Sequence, residues 1–399
     1  MTTSDHVGLS ETERAVLSVV LTRGETTRPE IGGELGLSKP TVSAAVSRLE
    51  AESLVHAVSA RQGSLGRAAA VYAVAPTAGW LLGVDVGSTR VQLLARALDG
   101  RTVRSSRREL RRRGGDVLDA LREEVAGYLQ DLPARYGPLR SVGIALPRII
   151  PDYVAAATAE RAGAEHTLAG ILDALALPAG VPILLENNVN CAALAEMERG
   201  AARGHDDFVF LQVGVRVGAG IVADRRVLRG AHGAAGEVAA VPVGWPAREP
   251  ASPTELEQYL GSASFLERCR AQWDDAEVPA PRSLPGLFRH AERGHQVAVR
   301  AVEQHARDVA HLAMTLSAVL DPGLLVLGGG VGQNALMSAA VHRAVAERAG
   351  GFDVAASALG DQATVEGAVA LTLDRTLTSM LGSRHVPRLD QRTTVLTTG

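Results

Sequence analysis

Apolar positions in the first fifty residues recur at helical spacing. Val16, Leu17, Val20 and Leu21 follow Ser10-Glu11-Thr12-Glu13, a capping box, so a helix is predicted from there to Gly24. Thr27-Arg28-Pro29-Glu30 repeats the device with a proline in the first turn, and Gly36 ends the short helix it opens. Ser38 caps a third helix, in which Val42, Val46 and Leu49 form an inward stripe. Lys39, Thr41, Ser43, Ala44, Ser47 and Arg48 are left facing outward. Apolar runs at 54–58 and 71–74 read as two strands, and the loop between them carries Arg61, Gly63, Gly66 and Arg67. Two helices, a glycine turn, a third helix with a small polar outer face and a basic wing describe a winged helix-turn-helix.

From Trp80 the pattern changes to buried runs. Residues 81–86 are apolar apart from Asp85, and Gly87-Ser88-Thr89 turns the chain into a second run at 91–97. Exposed amides and a hydroxyl at such a turn suit a phosphate, and Asp85 suits its metal ion. A further strand at 181–185 ends in Glu186-Asn187-Asn188-Val189-Asn190 and runs into an Ala/Leu-rich helix. Polar side chains at the carboxyl end of a strand sit where α/β sheets bind ligands. Asn187, Asn188 and Asn190 also suit a plain turn and cap, but three amides beside Glu186 favour a ligand site. An amide orients a hydroxyl; it does not take up its proton. Helices are predicted at 264–273 and 297–319, the second amphipathic. Beyond Thr378 the chain turns polar and aperiodic, which predicts a loose tail over 378–399. The expected domains are a winged helix-turn-helix at 8–76, a two-lobed α/β domain at 80–375, and that tail.

Composition narrows the class. A chain of 399 residues, 46% hydrophobic and 21% charged, suits a soluble protein of two or three domains. No uninterrupted apolar run approaches a membrane span, no secretion signal opens the chain, and Cys191 and Cys269 are too few for a disulfide framework or a Cys-rich zinc site. A cytoplasmic protein without membrane contact is expected. The net charge of −3 makes no global case for a polyanion. Residues 1–75 carry seven basic and eight acidic side chains, which fits a helical docking domain. Lys39, Arg48, Arg61 and Arg67, however, gather on the presumed groove face, and the whole winged pattern favours double-stranded DNA. A run of arginines (Arg101, Arg104, Arg107, Arg108 and Arg111 to Arg113) reads either as extra phosphate contact or as a charged sheet edge; the edge is favoured.

The order of motifs over roughly residues 10 to 370 resembles the ROK family of sugar kinases and sugar-responsive repressors. Asp85-Val-Gly-Ser-Thr, with Gly87 and Thr89, is similar to the family's first phosphate loop, and residues 142–147 to the strand leading to its Pro-Gly segment. Glu186-Asn187-Asn188-Val189-Asn190 is similar to its Glu-Asn-Asp-x-Asn site. Residues 214–220, with Gly214, Arg216 and Gly218, resemble its second phosphate loop. Ala235-Gly236-Glu237 is similar to its sugar motif, and Asp321-Pro322 through Gly330 to its adenosine-side strand and turn. The resemblance implies an α/β fold of two actin-like (ribonuclease H-like) lobes, as in ATPases and sugar kinases, behind the winged helix.

The departures from that pattern matter as much. Asn188 stands where the family's kinases have a catalytic Asp, so no kinase activity is expected. Gly214-Val215-Arg216 replaces Gly-Thr-Gly, Arg148 replaces a Gly after Pro147, and Ala240 replaces a His after Glu237. The cysteines of the family's zinc site are missing, with a Pro-rich stretch at 244–253 instead, so no cofactor is expected. Asn187, Glu237 and Glu257 (or Glu255, one register back) remain to hold a polyol or amino sugar, unless they are buried relics. The expected protein is a DNA-binding repressor, a homodimer or dimer of dimers, with an inactive sensor domain for a sugar, amino sugar or derivative. The rivals are an active sugar kinase with a DNA-binding appendage and a dimeric regulator without ligand.

Overall fold

Side-chain caps fix the first three helices: α1 (Glu11–Arg23), α2 (Arg28–Leu35) and α3 (Lys39–Ala51). The hydroxyls of Ser10, Thr27 and Ser38 accept from the backbone N–H of Glu13, Glu30 and Thr41 at 3.3, 3.4 and 3.4 Å. Glu13 and Glu30 return the bond to the cap backbone, each at 2.7 Å. Such a cap contributes about 1 kcal/mol. Three antiparallel strands complete the winged helix: β1 (Thr26–Thr27), β3 (Ala68–Val74) and β2 (Val55–Gln62), in that spatial order. The strands outrun the predicted pair, because Ala57, Ala60 and Ala68 to Ala70 carry little β signal and are held by ladder pairing. In the computed structural model the described residues are 8–62, 68–87, 89–110, 117–150, 167–241, 255–347, 352–382 and 394–397. Arg67, with Gly63 and Gly66, lies outside them, as do Ser88, Arg111 to Arg113 and residues 244–253.

By their internal contacts the described residues form two units, one within Met1–Pro147, Asp152–Glu186 and Ala368–Gly399, the other within Arg148–Pro151 and Asn187–Gly367. The first unit holds the winged helix together with a six-stranded sheet. Its strands are β4 (Trp80–Val86), β5 (Arg90–Ala97), β6 (Thr102–Glu109), β7 (Leu139–Leu146), β8 (Pro182–Asn187) and β14 (Thr394–Thr397), ordered β14-β8-β7-β4-β5-β6. β4, β5 and β6 form an antiparallel meander and β7 lies parallel to β4. Helices α4 (Val117–Asp131), α5 (Pro133–Tyr136), α6 (Leu168–Leu175) and the end of α14 (Ala363–Leu381) complete the unit.

The second unit repeats the plan. Its sheet runs β11-β10-β9-β12-β13, with β9 (Phe208–Val213), β10 (Val217–Ala223) and β11 (Arg226–Leu228) as the meander. β12 (Leu324–Gly328) lies parallel to β9, and β13 (Asp353–Ala356) parallel to β12. Helices α7 (Asn188–Arg199), α8 (Glu255–Leu260), α9 (Ser262–Ala271), α10 (Leu284–Glu292), α11 (Gln296–Leu320), α12 (Gly329–Gly332) and α13 (Ala335–Ala346) surround it. Two sheets of one order, each a meander plus parallel strands, are the two ribonuclease H-like lobes that the sequence predicted.

One expectation needs correction. The segment from Thr378 is not a loose tail throughout: α14 continues to Leu381, and 394–397 form a strand antiparallel to β8. Burial explains the helix, since Leu373, Leu377, Met380 and Leu381 pack on the winged-helix core of Val16, Leu17, Val20, Ile31, Val46 and Leu49. The strand pairs Thr394 with Leu185 and Thr397 with Pro182 along β8's edge. Leu98 and Leu381 also belong to the winged-helix core, so the winged helix and the first lobe share apolar contacts.

Candidate functional site

On α3, Val42, Ala45, Val46 and Leu49 are buried, while Lys39, Thr41, Ala44, Ser47 and Arg48 are exposed and Ser43 is half-buried. Ser38 serves as the cap, its hydroxyl also 2.7 Å from the Thr41 hydroxyl. Arg48 is paired with Glu52 at 2.7 Å, and Arg61 with Glu30 at 3.1 Å. Both guanidinium groups are more than half exposed (54% each), so these pairs contribute at most about 1 kcal/mol and yield readily to a phosphate. Hydrogen bonds from the Thr27 backbone and side chain hold the Glu30 carboxyl below its usual range. The arginine run on β6 is a different matter. Arg101, Arg104, Arg107 and Arg108 pair with Asp99, Asp131, Glu109 and Glu123. β6 is the last strand of its sheet, so these pairs form a charged, protected edge.

The polar cluster of the second unit is built around the head of α7. Asn187 is its N-cap: Oδ1 accepts from Val189 N–H at 2.8 Å. The amide nitrogen of the same side chain donates to the Arg148 carbonyl at 3.1 Å and lies 3.5 Å from Glu237 Oε1. Asn187 therefore caps the helix and also reaches Glu237. Asn188 opens the helix, half-buried.

Glu237 is placed by Gly236, whose φ of 82° and whose contact with Ala219 leave no room for a Cβ. Ala219 N–H donates to Gly236 carbonyl at 2.9 Å, pinning the turn to β10. The same strand takes Glu257: its Oε2 accepts from Val217 N–H at 3.3 Å. That bond turns Glu257, rather than Glu255, onto β10. Behind α8, Tyr259 donates to Asp308 at 2.9 Å, and Arg268 lies over the Tyr259 ring at 4.4 Å. Burial and the bond to Asp308 push the Tyr259 hydroxyl up. Arg268 then reaches His305 Nδ1 at 3.1 Å, and His305 stacks on Phe265 with ring centres 4.0 Å apart. Sequence reasoning missed this relay, since Tyr259 and Asp308 are 49 positions apart. It also missed that Arg148 contributes its carbonyl.

The two phosphate-loop candidates occupy equivalent hairpins. Gly87 and Thr89 flank the turn from β4 to β5, with Gly87 N–H donating to Arg90 carbonyl at 3.0 Å; Asp85 is buried and Thr89 exposed. Gly214, Val215 and Arg216 join β9 to β10, with Gly214 N–H donating to Arg216 carbonyl at 3.1 Å. A Cβ on Gly214 would stand 3.3 Å from Gly330 N, so the hairpin and the glycine turn after β12 face each other closely. Val215 and Arg216 are exposed. Gly218 is a strand residue, packed against Val189 rather than lining the turn. Among the described residues no three His, Cys, Asp or Glu side chains gather as a metal site.

Over residues 81–375 the chain matches the ROK family, and over residues 9–55 the winged helix-turn-helix DNA-binding family. The chain belongs to the ROK family. The xylose repressor of Bacillus subtilis (strain 168) is 26% identical over 228 residues, covering 57% of this chain and 59% of that protein. This ROK chain thus aligns with well under two thirds of that repressor. An N-acetylmannosamine kinase of Citrobacter koseri is 31% identical over 287 residues, 69% of this chain and 92% of the kinase. A solved ROK family transcriptional regulator, a homologue of the E. coli MLC protein, matches 94% of this chain and 98% of its own at a TM-score of 0.69 and 20% identity. Repressor and kinase relatives thus share one ROK fold. No helix among the described residues is long and apolar enough to cross a membrane.

Proposed function

We propose that this ROK protein is a DNA-binding transcriptional repressor that binds a sugar or amino sugar without phosphorylating it. One observation carries the reading. The winged helix, with its exposed α3 face, is joined to a sugar corner whose α7 begins with an amide, Asn188, where the chemistry needs a carboxylate base. Around that amide Asn187, Glu237 and Glu257 remain as hydrogen-bonding groups. Ser38, Lys39, Thr41, Ser43, Ala44, Ser47 and Arg48 face the DNA groove and Arg61 and Arg67 its flank; Lys39, Arg48, Arg61 and Arg67 contact phosphates. Asp85, Gly87, Thr89, Gly214, Arg216 and Gly218 are remnants of phosphate loops. The protein acts as a homodimer on a palindromic operator. The effector shifts operator affinity only by its differential affinity for two conformations. The xylose repressor relative supports this reading.

The test is a genome-wide map of bound DNA followed by release of the recovered operator by a sugar panel that includes xylose and N-acetylmannosamine. Failure to recover any discrete operator would sink the reading. The kinase reading keeps one point in its favour, the higher identity to the N-acetylmannosamine kinase, 31% against 26%. A coupled ATP-consumption assay over the same sugars separates the two.

A further inference from the structure

A cavity lies within the first unit where the winged helix meets the lobe. It measures about 430 Å³, a volume within the range of small-molecule sites. The end of α1 (Val20, Leu21, Gly24), strands β2 and β3 (His56, Val58, Ala73, Val74) and the turn after β5 (Leu98, Asp99, Arg101) line it, with Glu25. The floor is apolar, with Val20, Val74 and Leu98 buried.

Two local features shape this space for an occupant. Beyond His56, paired across the ladder with Ala73, the β2–β3 register shifts between Ala57 and Ser59, leaving Val58 as the extra residue of a bulge. Bulges re-aim side chains beside functional sites. Val58 is left 39% exposed, apolar surface that an occupant would cover. The charge of the rim selects the occupant. Arg101 is held by Asp99, through Nε at 2.8 Å and Nη2 at 2.7 Å, which neutralises both. The exposed Glu25 carboxylate is left uncompensated.

We infer that this seam binds a small organic amine, an apolar body on the Val20–Leu98 floor with its ammonium at Glu25.

Phenethylamine is the probe, with 3-phenylpropionate as its charge-reversed counterpart, titrated into the full chain by calorimetry. The amine should bind, and the carboxylate should bind at least tenfold more weakly. Glu25→Gln should weaken the amine about tenfold, the loss of one charged partner. Ala73→Phe, which fills the cavity, should abolish binding, and circular dichroism identifies a variant that fails to fold. If it does, Val58→Trp replaces it, since that side chain closes the exposed lip. Glu237→Ala should leave the amine affinity unchanged. No binding of phenethylamine at about 10 mM, equal binding of the carboxylate, or indifference to Glu25→Gln would overturn the inference.

Discussion

Gly367 of α14 lies directly on the carbonyl oxygen of Cys191 in α7, so close that a methyl group there would overlap it. The helix that presents Asn187 and Asn188 is thus held backbone to backbone against α14. No rotamer relieves a clash with a carbonyl. Gly367→Ala should therefore destabilise the protein by about 2 kcal/mol or more, the scale of overpacking in a dense core. Gly33 is the contrast: it sits inside α2 with open space around it. Gly33→Ala should be neutral or stabilising by up to about 1 kcal/mol. Urea unfolding of the two variants checks both signs.

Purified protein should show no sugar-dependent ATP turnover, because an amide at position 188 accepts no proton. Asn188→Asp should not restore it, since Arg216 still occupies the second hairpin. A turnover of about 1 per second for any hexose would refute this.

On α3, Lys39→Ala and Arg48→Ala should each weaken operator binding and lower the salt slope by about one unit. Arg67→Ala should do the same through the wing. The Arg48–Glu52 pair adds a sign test: Glu52→Gln frees Arg48 and should tighten binding modestly. Unchanged salt slopes in all three alanine variants would mean the recognition surface lies elsewhere.

His305 gives the stability a pH dependence. Burial, with Arg268 beside it, lowers its pKa from 6.5 to about 3. The unfolded chain then takes up the proton first as the pH falls, so folded stability is full above 6.5 and is lost progressively down to about 3. The loss is about 1.4 kcal/mol per pH unit within that window. His305→Asn keeps an acceptor for Arg268 and should flatten the stability difference between pH 7 and pH 5 by about 2 kcal/mol. Equal slopes for wild type and variant would place the titration elsewhere.

What was legible in the sequence was what is local. The capping boxes at Ser10 and Thr27 and the inward stripe of α3 need only four to seven residues of context, and each formed as spelled. The order of motifs along the chain gave the two lobes. What required distance was not legible. β14 forms because β8 offers an edge, α14 extends because its last turn is covered by the winged helix, and β2 and β3 lengthen across alanines because they pair. At the head of α7, Asn187's cap is local, whereas its reach to Glu237 crosses 50 positions.

The last prediction rests on the different tethers of Glu237 and Glu257. If both hold an inducer, removing either carboxylate should cost about 2 kcal/mol, near thirty-fold in inducer affinity. The structure separates the two sites beforehand. Glu257 accepts the Val217 N–H, so Glu257→Ala also strands a backbone donor and should lower stability, whereas Glu257→Gln keeps an acceptor and removes only the charge. Glu237 accepts from Asn187, and Asn187→Ala also loses the helix cap. Operator affinity without inducer should stay close to wild type in Glu237→Ala and Glu257→Gln, because neither touches α3. The expected phenotype is a repressor that binds and does not release. The measurement is operator release against inducer concentration for the wild type and these two variants. Superimposable curves would assign the carboxylates a structural role only and move sensing away from α7 and β10.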